Sequence, residues 1–133
     1  MSTQTLAQRR AAHALTRVQQ HEKTGKDSYG NYVSYVESLP AIIVMNGLGQ
    51  ACATLLARAE GDLERPHGLL YADLHSWLCR EDAAAPFPKA TDLMQAITER
   101  DQSRYLHAQT EALAFLIWLK KFANAYLARG SRE

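Results

Sequence analysis

The stretch from Tyr29 to Arg58, YGNYVSYVESLPAIIVMNGLGQACATLLAR, constrains the fold most. Its second half is the longest strongly apolar segment before the C-terminal region. Ser38-Leu39-Pro40 predicts a helix start, because serine can cap free N–H groups and proline is tolerated in a first turn. From Pro40 to Ala59 a 3.6-residue period sorts the side chains. Ala41, Val44, Met45, Leu48, Cys52, Leu55, Leu56 and Ala59 fall on one broad face. Asn46, Gln50 and Thr54 succeed one another at i+4 on the opposite face, with Gly47 and Arg58 beside them. This predicts a long central helix with one side in the core and a polar stripe on the other. Gly47 and Gly49 fall inside it, each costing about 1 kcal/mol relative to alanine. They mark a bend or close approach of another backbone, either within the domain or at a partner subunit or nucleic-acid backbone.

The rest of the chain reads as helix without a competing strand pattern. Thr3 to Lys23 predicts a first helix, with Ala7, Ala11, Ala14, Leu15 and Val18 on one side and Arg10, His13 and Arg17 towards the other. Gly25 is a stop, and Asp27 or Ser28 can cap a short helix through Ser38. Tyr29, Tyr32, Val33 and Val36 recur there at helical spacing, with Tyr35 beside them; these tyrosines suit the core edge, and base stacking is the functional alternative. Asp62 to Gly68 is a polar link, and Leu69 to Arg80 a helix grouping Leu70, Leu74, Trp77 and Leu78. EDAAAPFPKAT, with Pro86 and Pro88, is expected to be the most mobile loop. Thr91 or Asp92 caps a short helix to Arg100. Asp101 or Ser103 opens the longest helix, to about Arg129, with Gly130 past its end. Its apolar stripe is Leu106, Leu113, Leu116, Ile117, Ala123 and Leu127, and Lys120 falls inside it by period, with Lys121 to one side. The fold class is therefore all-α, one compact domain over residues 1–133 with about five to six helices, the central and C-terminal ones long.

Chemical signatures are sparse. His13, His21, His67, His75 and His107 form no HExxH, and none lies three or four residues from another histidine. Asp73 and His75 read as a chance pair, and Glu60, Asp62 and Glu64 as a solvated turn. Cys52 and Cys79 lack a CxxC partner and read as buried thiols, so neither zinc nor a disulfide framework is expected. The GK of EKTGKDS is no phosphate loop, since its first glycine position is Gln20 and its Ser/Thr position Asp27. No catalytic site, metal or cofactor is expected. A net charge of +1 excludes a strongly basic nucleic-acid binder, so any basic footprint must come from clustering. The N-terminus lacks a signal-peptide core and no run approaches a membrane span, which makes the cytoplasm the default.

The central stretch and the later TEALAFLIWLKKFANAYLARG resemble the small helical subunit of the type III-B (Cmr) CRISPR effector complex. The tyrosine-rich segment, the LP dipeptide, the NGLGQ word and the EAL…WLKKFA helix occur in the family's order, over roughly residues 4–129. The resemblance implies a non-catalytic subunit that stacks in several head-to-tail copies beside the guide-carrying backbone subunits. It further implies that this filament forms one wall of the groove holding the guide RNA–target RNA duplex, in antiviral defence. Such a wall needs cations aimed at phosphates, and Arg10, Arg17, Lys26, Arg58, Lys120 and Lys121 are the candidates. Asn46, Gly47, Gln50 and Thr54 are the candidate subunit contacts. The alternative is a helical protein–protein adaptor or regulator that contacts no RNA.

Overall fold

The computed structural model describes residues 3–24 and 31–127, together with the backbone of residues 29 and 30. Six helices and no strand occur among them: α1 (Leu6–Thr24), α2 (Tyr29–Asn46), α3 (Leu48–Ala59), α4 (Pro66–Leu78), α5 (Leu93–Glu99) and α6 (Gln102–Tyr126). The fold is all-α, as the periodicity predicts. Gly25, Lys26, Asp27, Ser28 and Gly130, assigned above to turns, caps or contacts, lie outside the described residues.

Local signals set several boundaries. At α1, the Thr5 hydroxyl accepts from the Gln8 N–H at 3.0 Å while the Gln8 side chain accepts from the Thr5 N–H at 2.8 Å, a reciprocal capping box. Asp92 accepts from the Gln95 N–H at α5, and Asp101 from the Arg104 N–H at α6. Helix α4 starts earlier than Leu69, with Pro66 in its first turn, where a missing N–H is harmless. The turn before it leaves no room at Gly68: a Cβ there would lie 2.3 Å from the Asp62 carbonyl oxygen.

The central segment departs from its prediction. Pro40 does not start a helix but lies inside α2, and the Ser38 hydroxyl donates back to the Tyr35 carbonyl instead of capping. The break comes at Gly47, with φ 91° and ψ 157°. An interior proline costs about 3 kcal/mol. Burial of Tyr32, Val33 and Val36 before it and of Leu39 and Ile43 around it outweighs that cost, at roughly 1.5–3 kcal/mol per large apolar side chain. Because helical phase runs from Tyr29 and resets at Gly47, the face predicted from Pro40 is only half right. Leu48, Cys52, Leu55 and Ala59 are buried, but Ala41 is exposed, Val44 is 70% exposed and Met45 81%.

Helix α6 is the axis of the bundle. Arg10 meets Glu111 and His13 meets Phe115, so α1 runs parallel to α6. Gln109 meets Leu48 while Asn124 meets Glu37, so α2 runs antiparallel to it. Ala108, Ala112, Phe115, Leu116, Leu119 and Ala123 of α6 share one core with side chains from the other five helices. The predicted stripe on α6 is therefore rotated: Leu116, Ala123 and Leu127 are inside, whereas Leu106 and Ile117 are 51% and 58% exposed and Lys120 faces solvent. The loop with two prolines is not loose. Phe87 is fully buried, its N–H donates to Leu78, and the Lys89 N–H donates to Arg80.

Candidate RNA and subunit contact surfaces

The junction between α2 and α3 explains the two central glycines. The Gly47 N–H closes α2 on the Ile43 carbonyl at 2.7 Å, and its carbonyl accepts the Ala51 N–H that opens α3. Three first-turn N–H groups of α3, on Leu48, Gly49 and Gln50, then have no carbonyl partner within the helix, as at any helix start. Leu48 donates to the Gln109 side chain at 2.9 Å and Gly49 to the Tyr105 hydroxyl at 3.0 Å. Tyr105 and Gln109 are one helical turn apart on α6, so a single face caps the next helix. A Cβ at Gly47 would lie 3.0 Å from the Tyr105 hydroxyl, and at Gly49 3.4 Å from Ile97. Gly47 is thus engaged inside its own chain, while Asn46, Gln50 and Thr54 are exposed.

The candidate cations divide into two groups. Arg10 and Arg17, placed by period away from the apolar side of α1, turn into the bundle. Arg10 forms a two-pronged pair with Glu111, both contacts 2.9 Å, and Glu111 also accepts from the Trp77 indole N–H. Burial alone would raise the Glu111 carboxyl, but hydrogen bonds from Arg10 and Trp77 and the charges of Arg10 and Arg80 hold it below the usual glutamate range. Arg17 donates to Asp73 at 2.6 Å. Asp73 is fully buried and also accepts from His21 at 3.0 Å and from the Tyr32 hydroxyl. Burial and the Asp73 charge push the Tyr32 phenol well above its ordinary value. His13 points inward too, against Trp77 and Phe115. Its Nε2 lies 2.8 Å from the Ser76 hydroxyl, whose proton goes to the Asp73 carbonyl, so His13 is the donor. Asp73 and Glu111 thus tie the bundle together. Sequence reasoning missed both, because helical spacing alone does not reveal a partner on a distant helix.

Lys120 and Lys121 are exposed and have no carboxylate partner among the described residues. With Val44 and Met45 on α2 and Leu106 and Ile117 on α6, they belong to the outward side of the α2–α6 pair. Arg58 is exposed near the end of α3, on a cleft of about 260 Å³ between α2, α3 and the start of α4. There the Tyr35 and His67 rings stack with centroids 3.7 Å apart. The structure does not bring all the candidate cations to one face.

No group of three or more His, Cys, Asp or Glu side chains among the described residues could hold a metal. Cys52 and Cys79 are free and buried, and burial raises their thiols to about 12 and about 11. Among the described residues no helix is long and apolar enough to cross a membrane.

Residues 6–126 match the family model for the CRISPR-associated protein Cas_Cmr5. The chain belongs to the Cmr5 family. It is a small subunit of the type III-B Cmr complex. The fold is similar to a CRISPR-associated Cmr5 family protein from Thermus thermophilus, whose crystal structure superimposes with a TM-score of 0.73 at 27% sequence identity. That similarity covers 94% of this chain and 100% of the other. In this Cmr5 chain, then, NGLGQ is a packing word: its two glycines admit Tyr105 and Gln109 to the start of α3.

Proposed function

We propose that this Cmr5 chain is a non-catalytic wall subunit that stacks in several copies beside the guide-carrying backbone. It helps to hold target RNA through sequence-independent phosphate contacts, in cytoplasmic antiviral defence. The observation that carries the reading is the outward side of the α2–α6 pair, where Lys120 and Lys121 share a surface with exposed Val44, Met45 and Ile117. Lysines without carboxylate partners are suited to phosphates, and exposed apolar side chains to protein contacts. Arg58 is a further phosphate candidate on a separate edge, and Asn46, Gln50 and Thr54 remain the polar subunit-contact candidates. Arg10 and Arg17 do not join this proposal, because their guanidinium groups already serve buried carboxylates.

The test is target-RNA retention by a guide-loaded Cmr complex, assembled with and without this subunit and followed against salt. Addition of the subunit is expected to tighten retention and steepen the salt slope, and Lys120→Glu with Lys121→Glu to reverse both. Unchanged retention across salt concentrations would sink the phosphate assignment. If the lysine variants instead release another subunit with RNA affinity intact, the protein adaptor is the correct reading; the exposed apolar side chains on the same surface are what favour it.

A further inference from the structure

We infer that the cleft between α2, α3 and the start of α4 is a pocket for a single nucleotide, its base inside and its phosphate on Arg58. The inference rests on the RNA-contact reading above and assigns it a specific subsite. The floor is apolar, formed by Leu39, Ala51 and Leu55, each at most 4% exposed. One wall is the stacked pair of Tyr35 and His67. Burial and the neighbouring Arg58 lower the His67 pKa, so its ring stays neutral and offers an uncharged aromatic surface. Arg58 has no carboxylate partner among the described residues and supplies the cation.

Two exposed hydroxyls at the cleft favour a polar occupant over an apolar side chain of a protein partner. Ser38 donates its proton to the Tyr35 carbonyl and Thr54 to the Gln50 carbonyl. Both therefore present only lone pairs to the cleft they line. A nucleobase carries N–H groups that such acceptors can bind in place of solvent. The volume of about 260 Å³ lies just below the roughly 300–1,000 Å³ typical of drug-sized ligands, which suits one base and excludes a duplex. Aromatic stacking together with one cation is the usual chemistry of single-stranded nucleic-acid subsites.

The test uses the full chain and NMR titrations with AMP, UMP, inorganic phosphate and a short single-stranded RNA. Nucleotides should shift both the His67 ring and the Arg58 side-chain resonances, while inorganic phosphate shifts Arg58 alone. Arg58→Ala should weaken nucleotide binding about tenfold, and Thr54→Phe, an exposed change that closes the mouth, should abolish the base-dependent shifts. Tighter binding of RNA than of AMP assigns the pocket to RNA; equal binding assigns it to a free nucleotide, and either supports nucleotide chemistry. Identical shifts with phosphate and AMP, or no shift at His67, overturn the proposal. Loss of a protein subunit from the Cmr complex on Thr54→Phe, with nucleotide binding unchanged, also overturns it, in favour of a protein occupant. If RNA retention falls with Lys120→Glu but not with Arg58→Ala or Thr54→Phe, the wall reading survives and the pocket is not an RNA subsite.

Discussion

Helices α1 and α6 lie side by side in parallel, yet Arg10 and Arg17 on the first turn into the bundle while Lys120 and Lys121 on the second turn out of it. The difference lies in the partners and in the cations. A planar guanidinium can satisfy a carboxylate with two parallel N–H groups, and Arg10 does so on Glu111. An ammonium is a compact, strongly hydrated charge whose desolvation is costly, and neither lysine has a carboxylate within reach among the described residues. Cations on neighbouring helices thus do different work. The arginines fix how α1, α4 and α6 sit together, and the lysines leave their charge at the surface.

The most severe way to break the inward group is Asp73→Ala. It removes the shared acceptor of Arg17, His21 and Tyr32, and urea denaturation should show a loss of about 3–5 kcal/mol. Gly68→Ala and Gly47→Ala come next, at about 1–3 kcal/mol each. The first forces a Cβ against the Asp62 carbonyl; the second combines a positive φ with the Tyr105 hydroxyl. Tyr105→Phe tests the same junction more gently, because it removes only the partner of the Gly49 N–H, and it should cost about 1–2 kcal/mol.

Acid should separate the two groups without mutation. The Glu111 pKa is depressed in the folded protein, so its contribution is present above the ordinary glutamate value of 4.5 and is lost as pH falls through the lower folded value. His13 is also depressed, first by burial and then by Arg17, so the unfolded chain takes up its proton before the folded one. Melting temperature should therefore begin to fall as pH drops below about 6.5, a slope to which His67 and His75, also lowered by burial, add, and His13→Phe should make that first part of the curve shallower. A profile unchanged by His13→Phe would remove this histidine from the acid response. The smallest effect on stability belongs to Lys120→Glu and Lys121→Glu, within about 0.5 kcal/mol, since neither side chain is buried. A larger loss would mean that these lysines support the fold and are not reserved for a partner.

Periodicity and punctuation determined a good deal. The all-α class follows from spacing alone, and so do the buried group Leu70, Leu74, Trp77 and Leu78 and the buried thiols; the caps of α5 and α6 are narrowed to two residues each, of which Asp92 and Asp101 serve. These features are local, set by groups within a turn or two of one another. The LP and NGLGQ words together with WLKKFA also led to the right family. What the tertiary structure decided is everything that depends on two helices meeting. Proline favoured a break at Pro40, but burial on both sides of it carried α2 through to Gly47, where Tyr105 and Gln109 supply the hydrogen bonds a new helix needs. The break reset the helical phase and turned Val44 and Met45 outwards. Arg10 and Arg17 look like surface cations by period, and only the positions of Glu111 and Asp73, many residues away along the chain, draw them inside. A sequence states which groups need partners; the packing of the helices decides which partners they find.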